Sequence, residues 1–191
     1  LDAEEESQNS QASAGCFIEF DGDRNETLYV SSGSNTGYKA IGNYEVPANG
    51  VVNMTADFDV RKSIIEANDK YKLKPTIKLV VTDEAGSIKG TVSNLVDTYT
   101  YVVYAYEYED GVSTWDVSET DDPNSDDIRF PNAVTSSVVK DGGAYTLSFL
   151  EAGSYDLVVA KYADDGEFET FYKEDNVSVE SGEITTSDLP L

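Results

Sequence analysis

The sequence contains no histidine and only one cysteine, Cys16, among its 191 residues. Without histidine the chain cannot form Ser-His-Asp or Cys-His catalytic systems, the usual zinc sites or a Cys-x-x-Cys-His haem attachment. A single cysteine cannot form an internal disulfide, so Cys16 is a small core residue, a free thiol or half of an intermolecular bridge. No other nucleophile motif is present, and we therefore predict that the protein is not an enzyme.

Basic residues are also scarce, because 13 Lys and Arg stand against 37 Asp and Glu and give a net charge of -24. Nucleic acid binding needs clustered cations, so it is not expected, and anionic membrane surfaces are disfavoured for the same reason. No apolar run approaches the length of about 18 residues that a membrane-spanning helix needs. Such acidity is typical of a solvated surface in saline or extracellular medium, which predicts an extracellular or cell-surface location.

The most regular pattern is the alternation in residues 71–82. One predicted face carries Tyr71, Leu73, Ile77, Leu79 and Val81, and the other carries Lys72, Lys74, Thr76, Lys78 and Val80. A period of two over this length predicts a strand with one buried face. Pro75 cannot donate to a ladder, so it predicts a sheet edge or a bulge at that position.

The rest of the first half alternates short apolar runs with turn residues. We predict a hairpin from strands 16–20 and 27–30, further strands at 38–46 and 51–60, and a short helix over residues 61–67 capped by Asp59. Residues 1–15 form an acidic, polar arm. The first half is thus predicted to be a β-sandwich with one short helix.

Three blocks in the first half carry a family resemblance: residues 31–39 (SSGSNTGYK), 55–63 (TADFDVRKS) and 71–78 (YKLKPTIK). In this order they resemble the closing half of a bacterial secreted domain-of-unknown-function family numbered four-three-eight-two, found in surface proteins and lipoproteins. The resemblance implies no activity, cofactor or catalytic residue. Family members begin with further strands, so it also implies that the first sandwich lacks N-terminal strands and exposes a sheet edge.

The second half, residues 84–191, shows short alternating strands separated by Gly and Asp turns, which predict a second sandwich. The predicted strands are 86–92, 98–108, 130–135, 143–150, 153–161, 176–179 and 182–189. Its Gly-x-Ile-x-Gly-Thr-Val and Ala-Gly-x-Tyr-Asp-Leu patterns are similar to those of prealbumin-like, carboxypeptidase-regulatory-like sandwiches. That resemblance implies a structural or adhesive module. The predicted fold is all-β, with tandem sandwiches over residues 1–83 and 84–191.

These observations together favour a non-enzymatic extracellular structural protein, a homo-oligomer or polymer whose subunits join by β-strand complementation into a surface filament or matrix. An open sheet edge is a template for a strand from a neighbour. Basic residues near the Tyr71 strand form a stripe that could dock an acidic segment of another subunit. The predicted assembly residues are Leu1, Glu4, Glu5, Glu6, Cys16, Phe17, Lys72, Lys74 and Lys78.

The alternative function is a monomeric adhesion module that binds calcium or carbohydrate. Calcium takes six to eight oxygen ligands, and the acidic loop after residue 109 offers Asp116, Asp121, Asp122, Asp126 and Asp127, although no EF-hand spacing occurs. A surface aromatic stripe of Tyr104, Tyr106, Tyr108 and Trp115 could contact sugar or a neighbouring subunit, or could instead pack as core. No cofactor other than calcium is implied.

Overall fold

The computed structural model describes residues 11–20, 24–30, 40, 44–46, 48, 50–67, 70–116, 130–163 and 168–191. The chain divides into two compact units. Unit 1 comprises Leu1–Ala40, Phe58–Ile77 and Thr120–Pro131, and unit 2 comprises Ile41–Asp57, Lys78–Glu119 and Asn132–Leu191. The predicted boundary between sandwiches at residue 83 stays a prediction.

The described elements are almost entirely strands. In chain order they are β1 (Gln11–Phe20), β2 (Arg24–Val30), β3 (Met54–Phe58), α1 (Val60–Ser63), β4 (Ile64–Ala67), β5 (Lys70–Leu73), β6 (Ile77–Val81), β7 (Gly86–Ser93), β8 (Thr100–Glu109), β9 (Val112–Ser113), β10 (Thr135–Val138), β11 (Ala144–Leu150), β12 (Gly153–Tyr162), β13 (Phe168–Val179), β14 (Ile184–Thr186) and β15 (Leu189–Pro190). The all-β prediction is confirmed. Within the described ranges no helix is long and apolar enough to cross a bilayer.

Unit 1 contains a four-stranded sheet in the order β1-β2-β5-β4. β1 and β2 pair antiparallel, which confirms the predicted hairpin, and β2 pairs in parallel with β5. The Phe20 ring packs against Tyr71 with their centroids 5.2 Å apart, and the Arg24 guanidinium lies 4.1 Å from the Phe20 centroid. These contacts join the hairpin to the strand that contains Tyr71.

The helix is shorter than predicted. Asp59 caps it as expected, since its carboxylate accepts a hydrogen bond from the Lys62 N–H at 3.0 Å. However, the helix ends at Ser63, and residues 64–67 form β4 rather than further helical turns. Ile64 and Ile65 are β-branched, and their pairing with β5 stabilises the extended conformation more than a helix without tertiary contacts could.

The predicted single strand over residues 71–82 was wrong. It is two strands, β5 and β6, which belong to different sheets and are separated at Pro75. The buried face also changes beyond the break: Val80 is buried, whereas Leu79 and Val81 are half-buried. Because proline cannot donate to a ladder and restricts the preceding residue, it allowed the chain to leave one sheet and enter another in a new register.

Unit 2 contains a β-sandwich. One sheet has the order β10-β8-β12-β13, with β9 beside β8, and the other has the order β11-β7-β14, with β15 also beside β7. A continuous apolar core lies among the strands of both sheets, as in other two-layer domains. Its buried members are Ile88, Val92, Tyr101, Val103, Ala105, Tyr145, Leu147, Leu150, Tyr155, Leu157, Val159, Val177, Val179 and Leu189.

Four of the seven predicted strands of the second half are found close to their predicted bounds, and three predictions need correction. The strand predicted at 176–179 is only the last part of β13, which begins at Phe168. The strand predicted at 130–135 begins only at Thr135, because Phe130 has a positive φ of 42° that a strand does not allow. The strand predicted at 182–189 is interrupted at residues 187–188. In the first half, the strand predicted at 38–46 lies largely outside the described residues, and residues 44–46 are not in a strand.

Candidate interaction surfaces

The predicted assembly residues are distributed over several elements. Phe17 lies on β1, an edge strand among the described strands of its sheet, and its side chain is 58% exposed. Cys16 is half-buried beside it with a free thiol. Lys72 lies on β5, Lys74 follows β5, and Lys78 lies on β6, all half-buried. Leu1 and the acidic residues of the arm, Glu4, Glu5 and Glu6, lie outside the described residues.

The calcium prediction falls almost entirely outside the part of the chain that the structure describes. Asp116 is exposed at the end of the described segment, while Asp121, Asp122, Asp126 and Asp127 are not described. Within the described ranges no group of three or more Asp, Glu, Cys or His side chains could hold a metal ion. The calcium site therefore stays a prediction.

The predicted surface aromatic stripe was wrong for two of its four members. Tyr104 and Tyr106 are fully buried, and every residue from Tyr101 to Tyr106 is buried, so both faces of β8 are covered. The Tyr104 and Tyr162 hydroxyls share a hydrogen bond of 2.8 Å in this interior. A central strand covered on both faces has no solvated side, so alternation in its sequence does not mark a surface. Tyr108 and Trp115 are half-buried.

Trp115 lies beside an ion cluster that the sequence did not indicate. The Lys173 ammonium is 5.2 Å from the centroid of the Trp115 ring, a cation–π contact. The same ammonium lies 3.1 Å from Asp156 Oδ2 and 2.8 Å from Asp175 Oδ1. The hydrogen bond to Asp175, and after it the one to Asp156, raise the pKa of Lys173. The lysine is therefore charged at neutral pH and bridges two carboxylates.

Asp156 is the buried member of this cluster, with 0% of its side chain exposed. Its Oδ1 accepts a hydrogen bond of 3.0 Å from the Asn176 N–H, at an irregularity of the β12–β13 pairing where Asn176 has a φ of 61°. Such a bulge turns a backbone donor toward a buried acceptor. The one signal for this site in the sequence was an acid inside the apolar run that follows Tyr155.

A second feature is the way in which the last nine residues lie against β7. We call residues 183–191 the closing segment. It contains β14 and β15, which pair in parallel with β7. Backbone bonds run from Ser87 N–H to the Glu183 carbonyl at 3.0 Å and from Ser187 N–H to the Lys89 carbonyl at 2.9 Å. Leu189 is fully buried in the sandwich core.

The groove that holds the closing segment is shaped for it. Asp188 Oδ1 accepts hydrogen bonds from Thr91 N–H at 2.8 Å and from Thr91 Oγ1 at 2.7 Å, which lowers the pKa of Asp188. The Tyr145 hydroxyl donates to the Ser187 carbonyl at 2.8 Å, and Ser187 Oγ donates to Glu174 Oε2. At Gly90, an added Cβ would overlap the Ser187 carbonyl oxygen, so only glycine allows this approach.

The buried Tyr145 hydroxyl leads to a prediction about how the stability of the protein changes at alkaline pH. Burial is the main cause that raises the pKa of Tyr145 to about 12, against a value near 10 in unfolded chains. The folded state therefore holds this proton more tightly, and its contribution is complete below pH 10 and is lost as the pH rises to about 12. Between pH 9 and pH 11.5, which covers about 1.5 pH units above the unfolded pKa, we expect the parent to lose about 2 kcal/mol more stability than Tyr145→Phe.

Urea unfolding at pH 9 and pH 11.5 measures this difference. At pH 9 the variant should be about 1 kcal/mol less stable than the parent, because the Ser187 carbonyl loses its donor. Tyr99→Phe, at an exposed tyrosine of the same unit, is the control and should follow the parent. Equal losses for Tyr145→Phe and the parent between the two pH values would contradict the prediction.

Comparison with known proteins agrees with the first resemblance. Residues 4–75 match the family described as Domain of unknown function (DUF4382). The match covers less than half of the chain, in the same region as the three blocks, and it confirms that part of the prediction. The similarity of the second half to prealbumin-like sandwiches is not confirmed. No curated protein matches the chain.

Two solved structures are similar over part of their length. One is GBS52, the minor pilin of the gram-positive pathogen Streptococcus agalactiae, at 16% identity and a TM-score of 0.31, with 64% of this chain and 50% of that chain covered. The other is a candidate cell adhesion protein from Bacteroides fragilis, at 6% identity and a TM-score of 0.28, with 64% and 45% covered. The chain thus spans half or less of the length of either protein.

Proposed function

We propose that this chain is a non-enzymatic building block of an extracellular or cell-surface structure, and that its copies associate by strand pairing at the β1 edge of unit 1. The observation that supports the proposal is the edge position of β1 among the described strands, combined with the exposed Phe17. An exposed apolar edge is a template for pairing with another chain unless it is blunted. Main-chain hydrogen bonds then provide affinity, and side-chain contacts provide specificity.

The edges of unit 2 carry devices that protect sheet edges, and β1 shares one of them, a register shift. β13 carries the bulge at Asn176 and the inward-directed charges of Lys173, and β11 carries an irregularity where Phe149 has a φ of 58°. β10 is only four residues long. Bulges, short strands and inward charges are the devices by which proteins protect sheet edges. β1 pairs regularly with β2 over Phe17–Phe20, although its register shifts between Ala12 and Phe17.

The net charge of -24 also bears on the proposal. Copies of such an acidic chain repel one another at low ionic strength, and salt screens this repulsion over about 8 Å at 0.15 M. Association through an apolar and backbone-mediated edge is then favoured as salt rises. The alternative function is a monomer that binds calcium or carbohydrate. Two of the four aromatic residues proposed to contact carbohydrate, Tyr104 and Tyr106, are buried and cannot do so.

The test replaces the exposed aromatic residue by a charged one. In Phe17→Lys, the new side chain places a charge in the pairing edge, a device that blocks edge association. We expect the parent to form oligomers or filaments at high salt and Phe17→Lys to remain monomeric. Sedimentation velocity and negative-stain electron microscopy would measure both.

The matched control is Val112→Lys, which changes an apolar side chain that is 68% exposed on β9 of unit 2. It should assemble as the parent does. Circular dichroism would verify that both variants fold. Assembly of Phe17→Lys equal to that of the parent, or a parent that stays monomeric at all salt concentrations, would refute the proposal.

A further inference from the structure

The closing segment is held in the groove along β7 by contacts between its own residues and the residues that line the groove. They are the paired bonds from Thr91 to Asp188, the bond from Tyr145 to the Ser187 carbonyl, and the burial of Leu189. Asn94 Nδ2 adds a bond of 2.9 Å to the Leu191 carbonyl. Any extended segment with the same residues in the same direction would satisfy this groove equally well.

The connection that leads into the closing segment contributes little to this recognition. Residues 180–183 form an exposed turn in which Glu183 N–H donates to the Glu180 carbonyl at 3.1 Å. Gly182 has a φ of 71°, and its N–H donates to the Glu84 carbonyl at 3.3 Å. Glu180 and Glu183 place two acids in this turn, and Glu84 is joined to it through the backbone. Extending the turn would break two exposed backbone bonds and separate like charges.

We propose that the groove along β7 accepts the closing segment of a second copy of this chain, so that Glu183–Leu191 exchanges between subunits about a hinge at residues 180–182. The contacts in the groove are identical in both arrangements, and the balance is set by the hinge and by the chain concentration. This deepens the proposed function, because it names a second, segment-specific contact between copies. It rests on the proposal that copies associate, but it uses unit 2 and not the β1 edge.

Paired cysteine variants test the exchange in the full chain. With Cys16→Ser as the common background, one chain carries Thr91→Cys and another, of different mass, carries Asp188→Cys. These two side chains are within hydrogen-bond distance in the groove, so a disulfide between them is feasible when the segment is seated. After the two chains are mixed at high concentration, refolded together from urea and oxidised, we expect a covalent heterodimer on a non-reducing gel.

Two controls are needed. One measures the disulfide yield from random collision, and the other tests whether the two thiols can form a disulfide when the segment is seated. A mixture of Asp188→Cys with Val112→Cys, at an exposed site elsewhere in unit 2, measures random collision and should give a much lower yield. A single chain carrying both Thr91→Cys and Asp188→Cys should form an internal disulfide when refolded at high dilution, which shows that the seated thiols meet. Heterodimer at the level of the Val112 control, despite formation of the internal disulfide, would overturn the proposal.

A hinge variant provides an independent readout. Gly182→Val forces a β-branched residue into a positive φ, so the turn is strained and the extended hinge is favoured. The yield of heterodimer should rise. Gly111→Val, at a φ of 81° in another turn with no atom near its Cβ, should leave the yield unchanged. An unchanged yield for Gly182→Val would count against the hinge.

The result of the disulfide experiment can be distinguished from the result of the Phe17→Lys assembly experiment. When all chains also carry Phe17→Lys, the exchange between closing segments should persist, because Phe17 and β7 lie in different units. Heterodimer in that background with no filaments would retain the exchange and attribute filament growth to β1. Filaments without any heterodimer would retain the proposed function and reject the exchange.

Discussion

Gly90→Ala is expected to destabilise unit 2 by at least about 3 kcal/mol, the upper end of the usual range for overpacking. The added Cβ would overlap the Ser187 carbonyl oxygen, and its next neighbours are Ser187 C and Tyr145 Cε1. The first two of these atoms are backbone and cannot rotate away, so β7 and the closing segment must separate. That separation also weakens the Tyr145 bond to Ser187 and the burial of Leu189.

Trp115 is the only tryptophan and lies in unit 2, so its fluorescence during urea unfolding reports on this unit. Gly153→Ala is the matched control, since an added Cβ there meets nothing closer than 3.9 Å. Its stability should stay within about 1 kcal/mol of the parent, because alanine also restricts the unfolded chain. A Gly90→Ala variant as stable as Gly153→Ala would show that the closing segment does not bind β7 as described.

Lys173→Met is expected to cost about 3 kcal/mol, the lower end of the range for removing one partner of a buried ion pair. Asp156 would keep its bond from the Asn176 N–H but would lose the Lys173 ammonium, which lies 3.1 Å from its Oδ2. The lower end applies because the Lys173 side chain is itself 29% exposed. Methionine retains most of the apolar stem against Trp115.

Two further variants separate the charge effect from lost packing. Asp175→Asn changes the more exposed carboxylate, whose side chain is 64% exposed, and should cost less than about 1 kcal/mol. Adding Asp156→Asn to Lys173→Met should recover much of the loss, because the amide oxygen still accepts from Asn176 without a buried charge. Thermal unfolding followed by circular dichroism measures all four chains. Equal stability of Lys173→Met and Asp175→Asn would contradict the assignment.

Local patterns in the sequence predicted much of the secondary structure correctly. The alternation in β7, β8, β11 and β12 and the intervening Gly and Asp turns placed these strands close to their observed bounds. The Asp59 cap and the β1–β2 hairpin were likewise predictable, because both depend on residues close together in the chain. Where local signals competed with pairing to a distant strand, as at Ile64 and Ile65, the distant strand decided the outcome.

The candidate interaction sites were much less predictable. Asp156, Lys173 and Trp115 are far apart in the chain and meet only because β12 and β13 pair with a bulge at Asn176. The groove for the closing segment depends on Gly90, whose role is invisible until Ser187 is placed against it. Alternation at Tyr104 and Tyr106 suggested a surface face, and it could not show that the other side of β8 was covered as well.

Composition and spacing by themselves determined the net charge of -24 and the all-β class, because these follow from residue types and from contacts between near neighbours. The tertiary structure alone decided which face of each strand is buried, which sheet each half of residues 71–82 joins, and where the closing segment lies. Those outcomes depend on pairing between residues distant in the chain, and the free energy of such pairing is not contained in any local pattern.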